Sequence, residues 1–257
     1  MSEPRLPPEL IHCIVDHLFD DMPTLTSIRV TDRTFNLSCR RHIFRAVNLN
    51  TKSRIEKFEE LVASSPSIVP FIQDFAFELA DHMFSHPDPE LNDTISHLLL
   101  QLTHIAVFDL GSELVTQWKD WPPTIRSAIN IPLSSPHLYS LSMFNIQGVP
   151  TSLFATCLTL ADLYLVLVTF EDDCPNILQS RPQLQCLILG SSSPDPLPRG
   201  IPVDLTPLQH LAITYPYPSP GSDGSWLWKE VFEPASKNLK TLDLTQLGMY
   251  MTHMYRV

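Results

Sequence analysis

LQCLIL (Leu184 to Leu189) is followed, twenty-four residues after its first leucine, by LQHLAI (Leu208 to Ile213). Both read apolar-x-x-apolar-x-apolar. The same phrase stands earlier as IQDFAF (Ile72 to Phe77), LTHIAV (Leu102 to Val107), LYSLSM (Leu138 to Met143) and LADLYL (Leu160 to Leu165), and later as LKTLDL (Leu239 to Leu244). A weaker copy, FRAVNL, begins at Phe44. The starts lie 22 to 36 residues apart, and most intervals fall within the roughly 20–29 residues of a leucine-rich repeat, whose strand phrase is LxxLxL.

The phrase has a physical reading. Its last x-L-x-L places alternate side chains on one face of a strand, and its first apolar residue enters the core just before that strand. One such unit cannot bury its own apolar side, so the units are expected to stack into a parallel sheet backed by helices or irregular turns. The backing segments are legible. SRIEKFEELVASSP (Ser53 to Pro66) sets Ile55, Phe58, Leu61 and Val62 at helical spacing behind a serine cap. PELNDTISHLLLQL (Pro89 to Leu102) does so with Leu91, Ile95, Leu98, Leu99 and Leu102. WLWKEVFEPASKN (Trp226 to Asn238) reads as a short helix stopped before Pro234, and SSSPDPLPRGIP (Ser191 to Pro202), without periodicity, as an extended loop. Only TQLGMYMTHMYRV follows the last phrase, which reads as a short cap, a frayed end or a truncated one.

Composition bounds the class. The 257 residues are 44% hydrophobic with mean hydropathy near zero, which predicts a folded chain with a sizeable core. No apolar run reaches membrane-span length, and MSEPRLPPEL lacks the basic and apolar regions of a secretory signal. Five scattered cysteines without a CxxC pair read as reduced thiols. Together these predict an intracellular protein, cytoplasmic or nuclear, with no membrane partner. Twenty-four prolines punctuate the apolar runs, while seven glycines form neither GxGxxG nor GxxxxGK[ST]. The net charge of −11 is uneven: residues 1–60 hold nine basic and nine acidic side chains, and the rest hold eight against nineteen. A surface of that sign repels phosphate, so no nucleic acid partner is expected. The basic surplus runs from Arg29 to Lys57, with Asp32 and Glu56 as its acids, and reads either as a solvated helix face or as a docking rim for an acidic protein.

Ahead of the phrases lies LPPELIHCIVDHLF (Leu6 to Phe19). Prolines suit a first helical turn and Glu9 suits its positive end. Leu10, Ile11, Ile14, Val15, Leu18 and Phe19 then make one apolar stripe. DDMP (Asp20 to Pro23) ends it, and TLTSIRVTDRTFNLS (Thr24 to Ser38) adds Leu25, Ile28, Val30, Phe35 and Leu37 before RRHIFRAVNL (Arg40 to Leu49) runs into the first weak phrase. Such a unit has too small a core to stand comfortably alone.

These residues resemble the F-box, and the whole chain resembles the F-box-plus-leucine-rich-repeat proteins numerous in mushroom-forming fungi. Family members usually carry Val-Cys-Arg before a Trp; here Thr31, Asp32 and Arg33 stand there, with Phe35 in place of the Trp. The resemblance implies an α/β protein: a short all-α F-box-like unit over residues 1–49, then a curved leucine-rich-repeat solenoid with a parallel β-sheet over residues 50–257. It also implies docking to a Skp1-type adaptor, and through it to a cullin. On that reading Leu6, Pro7, Pro8, Glu9, Leu10, Ile14 and Leu18 form or position the adaptor contact, Ile28 and Phe35 hold the helices together, and the chain is the substrate-recognition subunit of a ubiquitin ligase. The alternative is a non-catalytic repeat scaffold whose decayed F-box only caps the array.

A substrate protein would meet the outward positions of the strands. One column reads Ala76, Ala106, Ser142, Tyr164, Ile188, Ala212 and Asp243, the other Glu78, Phe108, Phe144, Val166, Gly190, Thr214 and Thr245. Phe108, Phe144, Tyr164, Val166 and Ile188 are therefore the candidate substrate contacts, aromatic anchors in an acidic surround. Catalysis is not expected. His82 and His86 are spaced for zinc on a helix, but Pro87 and Pro89 argue against that helix, and the HExxH glutamate is missing. EDDC (Glu171 to Cys174) is an acidic turn, and no GxSxG elbow is present. No metal or cofactor is expected.

Overall fold

Every apolar phrase but LTHIAV lies on a strand, and the strands lie side by side in chain order. The computed structural model describes residues 7–31, 33–79, 88–171, 181–190, 203–215 and 231–246. In chain order these contain α1 (Pro8–Asp16), α2 (Met22–Thr31), α3 (Arg33–Ile43), β1 (Ala46–Leu49), α4 (Lys52–Ser64), a 3-10 turn (Pro66–Phe71) and β2 (Asp74–Leu79). Next come α5 (Pro89–Gln101), β3 (Val107–Gln117), α6 (Pro123–Ala128), α7 (Asn130–Leu133), β4 (Ser140–Gln147) and β5 (Val149–Pro150). The remainder are β6 (Asp162–Val166), β7 (Phe170–Glu171), β8 (Cys186–Gly190), β9 (His210–Tyr215), α8 (Glu233–Ala235) and β10 (Thr241–Gln246). The fold is mixed α/β. One eight-stranded sheet has the order β1-β2-β3-β4-β6-β8-β9-β10 with every pairing parallel, and β5 pairs with β7 apart from it. No described helix is long and apolar enough to cross a membrane.

Strand alternation separates two faces. Phe75, Phe108, Leu141, Leu163, Leu187 and Leu211 share one register row, and Phe77, Leu110, Met143, Leu165, Leu189 and Ile213 the next. All twelve are buried in one core with Ile55, Phe58 and Val62 of α4 and Leu91, Ile95, Leu98 and Leu99 of α5. Removing each such side chain from water contributes roughly 1.5–3 kcal/mol, so the sheet exists because these two rows have a backing layer of helices and turns to face. Hydroxyls close the breaks between units: Ser135 Oγ donates to the Ile105 carbonyl at 2.7 Å, and Thr159 Oγ1 to that of Leu138 at 2.7 Å.

The register corrects one phrase. Aligned with its neighbours, the third strand reads Ile105, Phe108, Leu110, not Leu102, Ile105, Val107. Leu102 mimics the phrase because it is the buried C-cap residue of α5, three positions ahead of the true start. Phe108 is therefore not an outward residue: it is 0% exposed and stacks on Phe75 with ring centroids 6.2 Å apart. Asp109 and Gly111 take the places that the sequence reading gives to Ala106 and Phe108.

Helix ends differ in two places. Thr51, not Ser53, caps α4, its side chain accepting from the Arg54 N–H. Residues 226–230 of the expected helix lie outside the described residues; Pro234 sits in the first turn of α8, where a missing N–H costs nothing. Pro89 opens α5 in the same way, behind Asp88, whose carboxylate accepts from the Leu91 N–H at 3.2 Å. The expected loop at 191–202 and residues 247–257 lie outside the described residues.

Candidate partner-binding surfaces

The N-terminal helices build a small core of their own. Val15, Leu25 and Cys39 are buried together, with Leu18, Ile28, Phe35 and Ile43 packed against them, so Ile28 and Phe35 hold the helices as expected. The Pro7 carbonyl accepts from the N–H groups of Leu10 and Ile11 and starts α1. Asp21 starts α2, its carboxylate accepting from the Thr24 N–H at 3.1 Å and hydroxyl at 2.6 Å, and these bonds, the hydroxyl's first, hold its pKa below the usual range. His42 Nε2 lies 2.8 Å from Asp16 Oδ1 and ties α3 to α1.

That core uses only half of the apolar stripe. Ile11 and Val15 are 5% and 0% exposed, whereas Leu10 and Ile14 on the same helix are 51% and 41% exposed. Phe19, Met22, Val30 and Leu37 are also large, apolar and exposed. The unit thus presents more apolar surface than its own fold consumes, the property of an interaction site. Of the other sequence candidates, Pro7 and Glu9 are exposed and Leu18 is half-buried; Leu6 and the Pro8 side chain lie outside the described residues. The basic stretch is partly spent internally: Arg45 pairs with Asp74 at 3.3 Å, and Lys52 with Asp88 at 2.6 Å.

The second surface is the face of the sheet turned away from the core. Phe144, Tyr164, Val166 and Ile188 lie on it, each half-buried, on β4, β6 and β8. The Phe144 ring lies over β3, where a Cβ at Gly111 would stand 2.1 Å from Phe144 Cε2. Glycine is required there by space, and the ring's position explains how an aromatic fits a crowded sheet. Val166 leans likewise over Gly190. Tyr164 shares a side-chain hydrogen bond with Cys186, and burial first, then neighbouring groups, pushes the tyrosine's pKa up.

The outward rows also carry Asp74, Glu78, Asp109, Asp162 and Asp243, and no Lys or Arg. Burial raises the carboxyl pKa of Asp109, with Asp74 adding to it and a Ser142 side-chain hydrogen bond opposing. Burial likewise raises that of Glu78, with Glu113 adding. Sequence reasoning missed Asp109 because the misframed phrase placed Ala106 in its row. A raised folded-state pKa means that the folded chain holds this proton more tightly than the unfolded chain does. Stability from Asp109 is therefore greatest below its unfolded pKa and falls as pH rises through the folded value. Asp109→Asn, which keeps a partner for Ser142, is expected to raise Tm by roughly 2–4 °C at pH 7, and thermal melts should show the gain vanish toward pH 3. An equal gain at both pH values would contradict the desolvation account.

His82, His86 and Asp172 to Cys174 lie outside the described residues, and Glu171 is exposed. Among the described residues no cluster of three or more His, Cys, Asp or Glu could hold a metal ion. No protein-family model matches the chain, and no curated protein does.

Proposed function

We propose that the chain is the substrate-recognition subunit of a Skp1–cullin–F-box type ubiquitin ligase, binding without catalysing. The F-box-like helices dock a Skp1-type adaptor, and the parallel strands belong to a leucine-rich-repeat solenoid whose open face receives a protein substrate. The observation that carries this reading is the divided stripe of α1, with Ile11 and Val15 inside and Leu10 and Ile14 outside. Together with exposed Phe19, Met22, Val30 and Leu37, Leu10 and Ile14 give this small unit more exposed apolar surface than single scattered side chains would. In-order parallel stacking of the phrases supports the repeat reading. The test is size-exclusion chromatography of the purified full chain with a Skp1-type adaptor. Co-elution as one complex is the expected result; separate elution of two folded proteins overturns the reading.

A specific contact favours the alternative, a repeat scaffold whose helical unit is a cap. α3 packs on the 3-10 turn, and the Arg45 carbonyl accepts from the N–H groups of Gln73 and Asp74. That reading predicts that deleting residues 1–42 destabilises the sheet while the adaptor is ignored.

A further inference from the structure

The outward rows of the eight strands hold five carboxylates and no Lys or Arg. The central carboxylates are half-buried, so water solvates them less than it would on an open surface. Asp74 is answered by Arg45. Among the described residues, Asp109, Glu78 and Glu113 are in no ion pair. Asp74 lies diagonally across from Asp109 on β2, where Ala76 is the residue directly opposite, and Glu113 on β3 lies near Glu78. Like charges gathered at a sheet surface repel each other and lower stability. A cation brought from outside would relieve that repulsion. Next to them, on β4 and β6, lie Phe144, Tyr164 and Val166, which offer apolar contact without charge.

Resting on the reading of this face as the substrate surface, we propose that its partner is a basic protein segment in extended form. Its Lys or Arg side chains sit against Asp109 and the Glu78–Glu113 pair, and an adjacent apolar side chain lies on Phe144, Tyr164 and Val166. Arginine suits the site best, since its planar fork can bridge two carboxylates and its face can stack on an aromatic ring. Nucleic acid and anionic lipid are excluded by sign. Eight strands at about 4.8 Å spacing are roughly 34 Å across, the reach of about ten extended residues, so the segment is a short linear motif.

The experiment uses the full chain and a fluorescein-labelled peptide of about that length in which arginines alternate with leucine and serine. Two controls replace every arginine by citrulline or by glutamate. Fluorescence anisotropy at low and high salt reads affinity. The arginine peptide is expected to bind at least tenfold more tightly than either control and to weaken in high salt. Glu78→Gln with Asp109→Asn should lower its affinity about tenfold or more, and Phe144→Ala severalfold. Neutralising Glu59 and Glu60 on α4 as a pair should change affinity less than twofold. Asp109→Asn is expected to stabilise the fold, so loss of binding by that variant is not loss of structure. Equal binding of all three peptides, no binding of any, or equal sensitivity to the α4 pair overturns the inference. Adaptor co-elution, measured on the same wild-type and double-substituted proteins, keeps the two ideas apart. If the adaptor binds and the arginine peptide does not, this inference alone falls. If the peptide binds at the face and the adaptor does not, the ligase reading falls and the basic-segment site stands.

Discussion

Phe108→Ala is expected to cost about 3–5 kcal/mol of folding stability, the range for deleting a buried aromatic and leaving a cavity. The ring is fully buried, stacks on Phe75, and lies in the row that faces α4 and α5. Phe144→Ala, made on the next strand, removes a half-buried ring from the opposite face. Its loss should be nearer 1 kcal/mol, because water already reaches the site and its removal leaves no closed void. Chemical denaturation of the two variants beside wild type measures the difference. Comparable losses would mean that the third strand is framed at Leu102, with Phe108 outward.

Replacing Leu10 and Ile14 together by Asp is expected to weaken binding to a Skp1-type adaptor at least 100-fold, since truncated central apolar contacts typically cost about 2 kcal/mol or more each. Charge in their place adds desolvation on the adaptor side. Both side chains are exposed in the free chain, so Tm should move by no more than about 2 °C. Val15→Asp provides the contrast. It buries a carboxylate beside Leu25 and Cys39 and should unfold the helical unit. Titration calorimetry with the adaptor and thermal melts of each variant separate the outcomes. Undiminished adaptor binding by the Leu10/Ile14 pair would remove α1 from the interface.

Most of the sheet was legible because a strand phrase encodes its own orientation. Once Leu163 and Leu165 face inward, Tyr164 and Val166 must face outward, and the structure keeps that order on β4, β6, β8 and β9. The third strand was misread because a helix C-cap and a strand entry both demand an apolar residue, and Leu102 stands three positions before Ile105, the spacing of the phrase itself. The cap of α4 was misplaced for a related reason: Thr51 and Ser53 are both competent hydroxyls, and only the backbone geometry chooses. Which half of the α1 stripe faces out was not legible. Periodicity names a face about 100° wide, and the packing of α3 decides which edge of it remains in water. The acidic character of the open face is hidden in linear sequence, because Asp74 and Asp109 become neighbours, and Asp162 joins their face two strands on, only through register.

On the proposed function two surfaces are separate, an apolar helix edge for the adaptor and an acidic sheet face for the substrate. Hydrogen–deuterium exchange of the full chain, free and saturated with a Skp1-type adaptor, measures this directly. Added protection confined to α1 and its neighbouring helices, with β4, β6 and β8 unchanged, is the result the account predicts. Protection on those strands with α1 unchanged would contradict it.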